Sequence, residues 1–236
     1  MNTIRHMILH VDDDKFTRQL VGFMFEDCDL ELISVDSADT CMSALSERPV
    51  DLILLDSELG DKSGIEIAQD VFLFDKRIPI VFLSAKNEDQ IFNGFRPPNV
   101  KGVLRKPFIP EQVVETIQAV LKGDKEPFHF PNQKNTVNLT QLQQEYRGHL
   151  LAQVLVLDRA WHTLASGAEC LSDCDQFVGD VHKISGTAGL AGFSSVSEAA
   201  KAVEEALRCL DEHDLTLSFK HTKPLLLELF VAIERL

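Results

Sequence analysis

The sequence predicts two domains of different class: a doubly wound α/β domain with a parallel sheet, then an all-α four-helix bundle. Three observations carry this. Short apolar runs alternate with amphipathic stretches up to about residue 121. Residues 123–137 then hold two prolines, polar residues and little periodicity, the composition of a linker. Beyond them the strand signal disappears while helical periodicity continues. The expected boundaries are 1–122, 123–137 and 138–236.

Met7 to Val11 is the first strand candidate and runs into Asp12-Asp13-Asp14. A helix follows with Phe16, Leu20, Phe23 and Met24 on one side. Leu30 to Val35 reads as a second strand, Ala38 to Ser46 as a helix, and Val50 to Leu55 as a third strand. Leu52 to Leu55 is an unbroken apolar run, as a strand buried on both faces requires, and Asp56 follows at once. Gly64 opens a helix carrying Ile65, Ile67, Ala68, Val71 and Phe72. Ile78 to Leu83 is the fourth strand, closed by Ser84. A short helix near Glu88 to Phe95 precedes the break at Arg96-Pro97-Pro98-Asn99. Val100 to Arg105 is the fifth strand, then Lys106-Pro107, and Pro110 starts a helix to about Leu121. Strands alternating with helices in this way imply a parallel sheet with helices on both faces. In the bundle the expected helices are Leu139 to Ala165, Leu171 to Leu190, Ser195 to Leu210 and Leu215 to Leu236. The third buries Val196, Ala199, Ala200, Val203 and Leu207, and Pro224 should kink the fourth or mark its start.

The 236-residue chain has a formal charge of -14. Residues 1–122 hold 13 Lys+Arg against 21 Asp+Glu, and the remainder 10 against 16. Neither half has the clustered basic face that phosphate-backbone binding requires, so nucleic acid is not the expected partner. With no apolar run of membrane-spanning length and no signal-peptide pattern, a cytoplasmic protein is expected. The five cysteines (28, 41, 170, 174 and 209) form no C-x-x-C pair and no zinc set, so reduced structural thiols are expected.

Asp12 and Asp13 end the first strand, Asp56 the third, Ser84 the fourth and Lys106 the fifth. In the flavodoxin-like order 2-1-3-4-5 the first and third strands are neighbours at the switch point, where ligands bind. Three carboxylates there repel one another unless a cation sits among them, and oxygen ligands with room for water favour Mg²⁺. A hydroxyl and an ammonium beside them suit a phosphoryl group on Asp56.

Asp12-Asp13 after a strand, Asp56 with Gly64 eight residues on, Ser84 and Lys106-Pro107-Phe108 together resemble the receiver domain of two-component response regulators, over roughly residues 5–122. The resemblance implies that Asp56 accepts the phosphoryl group, Asp12, Asp13 and Asp56 hold the metal, and Ser84 and Lys106 contact the phosphoryl oxygens. It also implies a cis bond before Pro107. Two positions depart from the family. Val103 stands where an aromatic switch residue is usual, and Gly60 where a proline is frequent. Glu58 and Lys86 occupy positions that tune hydrolysis in the family, and their pairing would make phospho-Asp56 long-lived.

His182 stands apart from the other histidines, in H-K-I-S-G-T-A-G-L-A-G. Gly186 and Gly189 fall on its helical face. Each glycine costs a helix roughly 0.5–1 kcal/mol against alanine. Clearing room for another protein's backbone around an imidazole open to solvent would justify that cost. Val178, Val181, Ile184, Ala188 and Ala191 form the buried stripe, about 100° round the helix, one residue's rotation. His182, Ile184, Gly186, Thr187, Ala188, Gly189 and Gly192 resemble the histidine-containing phosphotransfer (HPt) domain over about residues 136–236. By that resemblance His182 is phosphorylated. Ser185 replaces the family's common basic residue.

Neither half has a kinase's glycine-rich nucleotide boxes, so the chain is not expected to be an enzyme that makes phosphohistidine from ATP. The expected function is phosphorelay: phosphoryl carriage on Asp56 and His182 between a sensor histidine kinase and a downstream response regulator, including contact between the two domains. The rival is a receiver-regulated binding adaptor with vestigial chemistry, which Val103 and Ser185 would favour. A dehalogenase-type phosphohydrolase would want an aspartate where Glu58 stands.

Overall fold

The computed structural model describes residues 6–25, 30–60, 62–108, 110–121, 136–167, 174–209 and 215–236. The chain divides into two compact units, Met1–Thr136 and Val137–Leu236. The expected linker lies, up to residue 135, outside the described residues, as do Cys28, Cys170, residues 171–173 and Leu210.

The first unit runs β1 (His6–Val11), α1 (Lys15–Phe25), β2 (Leu30–Val35), α2 (Ala38–Glu47), β3 (Leu52–Asp56), β4 (Glu58–Leu59), β5 (Lys62–Ser63), α3 (Gly64–Phe74), β6 (Ile80–Ser84), α4 (Glu88–Phe92), β7 (Val100–Arg105) and α5 (Pro110–Val120). Five strands make one sheet in the order β2-β1-β3-β6-β7, with every pairing parallel. This is the expected 2-1-3-4-5 order, with two additional strands between the third and fourth. Those two, β4 and β5, form a separate antiparallel hairpin. At two residues each, they are too short for a period-2 signal to register in sequence.

Central β3 and β6 are buried at every residue, as strands covered on both faces must be. Side chains of one sheet face, among them Leu9, Val11, Ile53, Leu55, Ile80 and Phe82, join Cys41, Ile67, Ala68 and Val71 in one core. Local signals set the helix starts. Ser37 caps α2 with Thr40, Ser63 caps α3 with Glu66, and Asn87 caps α4 with Gln90, each a reciprocal capping box. The buried face of α1 is Thr17, Leu20, Val21 and Phe25, rotated from the expected Phe16, Leu20, Phe23 and Met24. Thr17 outcompetes the aromatics because its position, not its hydropathy, faces the sheet.

Among the described residues the second unit comprises α6 (Thr136–Gly167), α7 (Asp175–Leu190), α8 (Ser194–Arg208) and α9 (Leu215–Glu234). Leu142, Tyr146, Leu150, Leu157 and Trp161 line the buried side of α6. Trp161 meets Phe177 of α7 at 5.8 Å and Phe219 of α9 at 5.2 Å between ring centroids. Such tilted and edge-on aromatic contacts add to the area they bury. Val196, Ala200, Val203 and Leu207 of α8 are buried as expected, Ala199 is only partly buried, and Glu204 is buried beside them. Helix α9 continues through Pro224.

Candidate functional site

The parallel register brings the first unit's acidic residues together. Val11 of β1 stands opposite Leu55 of β3, so the residues after each, Asp12 and Asp56, emerge side by side at the sheet's carboxyl edge. Both are buried, Asp12 at 0% and Asp56 at 5% exposure. Ser84 ends β6 next to them, and the Lys106 amide donates to the Ser84 carbonyl at 2.8 Å. The Lys106–Pro107 bond is cis, as the resemblance implied.

The Lys106 ammonium donates to Asp56 Oδ2 at 2.7 Å and to Asp12 Oδ2 at 3.0 Å. Burial opposes its charge, but the two carboxylates outweigh burial and hold it protonated. Burial is likewise the main influence on Asp56 and raises its pKa, with Lys106 opposing and the Asp12 charge adding to the rise. The other Asp56 oxygen, Oδ1, accepts from the Glu58 amide at 3.1 Å.

The acidic run Asp12-Asp13-Asp14 separates into roles. Asp14 is a helix cap: its Oδ1 accepts from the Thr17 amide at 2.6 Å. Asp12 Oδ1 accepts from the Asp14 amide at 2.9 Å. Asp13 is partly exposed, and a Cβ built on Gly60 would stand 3.8 Å from its Oδ2. Gly60 has φ +47°, which its lack of a side chain permits. Asp12, Asp13 and Asp56 thus offer only oxygen ligands, and Asp12 and Asp56 share the Lys106 ammonium. The set fits a hard divalent cation that keeps part of its water, as Mg²⁺ does.

Two hydroxyls meet beneath the edge. Ser57 Oγ and Ser84 Oγ are 2.6 Å apart, and Ser84 Oγ also accepts from the Lys86 amide at 3.0 Å. Ser57 was missed in the sequence because a serine after an acidic strand end reads as turn chemistry. The Lys86 ammonium pairs with the Glu58 carboxylate, as their positions two residues after Ser84 and Asp56 suggested. Gly64 is required by close approach. A Cβ there would collide with the Asp56 carbonyl oxygen and stand 2.7 Å from Phe82 Cε1.

His10 is a further residue that sequence reading treated as ordinary. It is fully buried on β1, its Nε2 is 4.0 Å from Asp12 Oδ2, and that nitrogen has no hydrogen-bond partner among the described residues. Burial, with the Lys106 charge adding, lowers its pKa to about 3, so it is a neutral imidazole.

In the second unit His182 lies on α7 with 9% exposure, where sequence reading left it open to solvent. The buried band takes in Val181, His182 and the whole run from Ile184 to Ala188, wider than one hydrophobic stripe because its small residues let neighbours approach. His182 Nδ1 is 2.9 Å from Glu204 Oε1 on α8. Arg208, one turn on, donates to the same oxygen through Nε at 2.9 Å. Glu204 and Arg208 carried one weak signal, the i,i+4 spacing of an ion pair, and nothing in sequence joined them to His182.

Residues 8–118 match the response regulator receiver domain family. The phosphate regulon transcriptional regulatory protein PhoB of Pseudomonas aeruginosa is 34% identical over 128 residues, covering 50% of this chain and 55% of that protein. The DNA-binding response regulator MtrA of Mycobacterium tuberculosis is 30% identical over 129 residues, covering 54% and 56%. The chain therefore spans about half the length of these curated relatives. A solved structure of chemotaxis protein CheY4 from Vibrio cholerae is 24% identical, with a TM-score of 0.46, covering 50% of this chain and 100% of that one. With the matching segment, the strand order and the acidic strand ends in agreement, the N-terminal part of the chain is a response regulator receiver domain.

Proposed function

We propose that the chain is a two-component phosphorelay protein. It carries a phosphoryl group on Asp56 of a receiver domain at 1–122 and on His182 of a four-helix HPt bundle at 138–236, joined by the linker 123–137. One observation carries the reading: Lys106 bridges Asp56 and Asp12 at the sheet's carboxyl edge, where the buried Asp56 carboxylate has an ammonium beside it to follow added charge. His182 on a helix with Gly186 and Gly189, bonded to a buried carboxylate, supports the second carrier.

An Asp56 oxygen attacks the donor's phosphorus in line, and the bond to the donor nitrogen breaks. Bound Mg²⁺, held by Asp12, Asp13 and Asp56, would supply charge neutralisation at the phosphoryl oxygens. Lys106 follows the new charge on Asp56, and the Ser84 hydroxyl exchanges Ser57 for a phosphoryl oxygen. The protein's contribution is positioning and electrostatics. Glu58 and Lys86, paired across the site's rim, exclude water and make phospho-Asp56 long-lived.

The chain carries phosphoryl groups without making them from ATP, and its partners are a sensor histidine kinase and a downstream response regulator. The relatives' names describe a transcriptional regulator and a DNA-binding protein, over lengths the chain spans by half. Here the second unit is helical and the charge is -14, which favours protein partners over nucleic acid. No described helix is long and apolar enough to cross a membrane, and a cytoplasmic setting follows from the proposed partners.

The test is transfer of labelled phosphate to wild type, Asp56→Asn and His182→Gln from a phosphorylated kinase domain and from acetyl phosphate. Label lost in the matching variant supports each carrier. Wild type that takes no label favours the second reading, a receiver-regulated binding adaptor. Val103, packed against the core where an aromatic switch residue is usual, is the observation on that side.

A further inference from the structure

His10 lies within the buried run of β1, yet its Nε2 has no hydrogen-bond partner among the described residues. Leu9 and Val11 face the core cluster, so His10 points to the sheet's other side, and Asp12, two residues on, follows it there. The Asp12 amide still donates to the Val35 carbonyl at 3.2 Å, which carries the strand geometry that far. His10 Nδ1 lies 3.4 Å from Ser34 Oγ on β2, and Nε2 lies 4.0 Å from Asp12 Oδ2, just beyond hydrogen-bond length. A hydroxyl can donate to Nδ1, whereas a carboxylate only accepts, so the proton of the neutral ring belongs on Nε2, aimed at Asp12. A buried polar group left unpaired is rare and asks for a reason.

Asp12 supplies one. Its Oδ1 is taken by the Asp14 amide, and among the described residues Oδ2 accepts only from the Lys106 ammonium, which is shared with Asp56. We propose that His10 is a positioning residue for Asp12, donating from Nε2 to Oδ2 in place of Lys106 once Asp56 carries a phosphoryl group. This rests on the reading of Asp56 as the acceptor. As an Asp56 oxygen bonds to phosphorus, the donor nitrogen leaves with its electron pair. The carboxylate charge is then lost to the acyl phosphate linkage, and negative charge stands further out on the phosphoryl oxygens. Lys106 follows that charge, and its contact with Asp12 lengthens. Asp12, at 0% exposure, becomes a buried carboxylate short of a donor, a costly state. The imidazole has only a short distance to close. With Nε2–H on Oδ2 and the Asp14 amide on Oδ1, the Asp12 carboxylate keeps its direction while Lys106 serves the phosphoryl group. His10 stays neutral throughout, because burial, which the movement of Lys106 does not change, is the main influence lowering its pKa.

The experiment uses the full chain with Mg²⁺ and beryllofluoride, which sits on an aspartate oxygen as a phosphoryl group does. Nitrogen-15 and proton spectra of the histidine rings, with His10 assigned by loss of its signals in His10→Gln, report on the contact. Nε2–H is expected in the free protein, with a downfield move of that proton when beryllofluoride binds. A titration followed by the fluorine-19 signal of the bound anion is expected to show roughly tenfold weaker binding in His10→Leu, the scale found when an outer partner of a site ligand is removed. His10→Gln, whose amide can donate to Oδ2, is expected to recover part of that loss. Urea melts without beryllofluoride separate this from a structural role. His10→Leu removes an unpaired polar group from the core, so it is expected to be at least as stable as wild type. An Nε2–H signal that stays in place while beryllofluoride is bound, or a His10→Leu chain that binds at the wild-type level, overturns the role of His10 and leaves the reading of Asp56 standing. So does weaker binding accompanied by lower stability, or a His10→Gln chain no better than His10→Leu. Wild type that takes up no beryllofluoride overturns the reading of Asp56 and this role with it.

Discussion

Charge placement around Asp56 separates groups that hold the site from groups that guard it. Lys106 and Asp12 are almost wholly buried, and removing either strands a charge, a loss of several kcal/mol in pairs of this kind. The Glu58–Lys86 pair is different. Its side chains keep 31% and 26% of their exposure, and pairs so accessible to water contribute little to stability, about 0–1 kcal/mol. If the pair guards phospho-Asp56, Lys86→Ala should change the unfolding free energy by less than about 1 kcal/mol. The phosphoryl group should nonetheless be lost several-fold faster. Dephosphorylation followed after removal of donor, in Mg²⁺, gives the answer; an unchanged lifetime would remove the guard from the mechanism.

At the level of elements, the junction from β3 through the β4–β5 hairpin to α3 determines where the Asp56 carboxylate points. The Gly64 amide donates to the Ser57 carbonyl at 3.0 Å, and Ser63 caps α3 directly before it. A side chain at Gly64 would push against the Asp56 carbonyl, the Phe82 ring and the Ser57 Cα. Gly64→Ala should cost about 1–3 kcal/mol, the range for overpacking, and lower Asp56 labelling because the backbone beneath it must shift. A urea melt and acetyl phosphate labelling on the same preparation check both, and a variant as stable and as readily labelled as wild type would show the junction to be slack.

This junction also marks how far sequence could be read. Apolar residues bounded by polar ones placed the edge strands β2 and β7 at their observed residues, and the continuous apolar runs of β3 and β6, buried at every residue, placed those two to within two residues. Asp56, Lys106 and Gly64 were legible by their order relative to those strands. The hairpin was not, since four paired residues have no period to detect. Ser57 and His10 were not, because their neighbours come from other strands. Glu204 was hidden for the same reason, being 22 residues from His182 and on another helix. Contacts made across elements are set by packing, which one chain's periodicity does not encode.

For the whole molecule, the two units respond to acid with opposite sign at their central carboxylates. The folded-state pKa of Asp56 is raised above its ordinary 3.8, chiefly by burial. In the interval above 3.8 the native state holds a proton that the unfolded chain has released, so stability grows as pH falls through that interval. Glu204 is the reverse. Burial is outweighed by His182 and Arg208, and its folded-state pKa lies below the ordinary 4.5. Its contribution is present above 4.5 and is lost as pH falls through the lower folded value. The contrast is separable from the titration of other groups by comparing variants. With metal chelated, denaturant melts between pH 7 and pH 4 should show wild type gaining on Asp56→Asn as pH falls. Extended to about pH 3, the same melts should show it losing ground to Glu204→Gln, from 4.5 downward. Parallel curves for both pairs would mean that neither carboxylate feels its surroundings as described. A change confined to one pair would locate the fault in that unit, because Asp56 lies within Met1–Thr136 and Glu204 within Val137–Leu236.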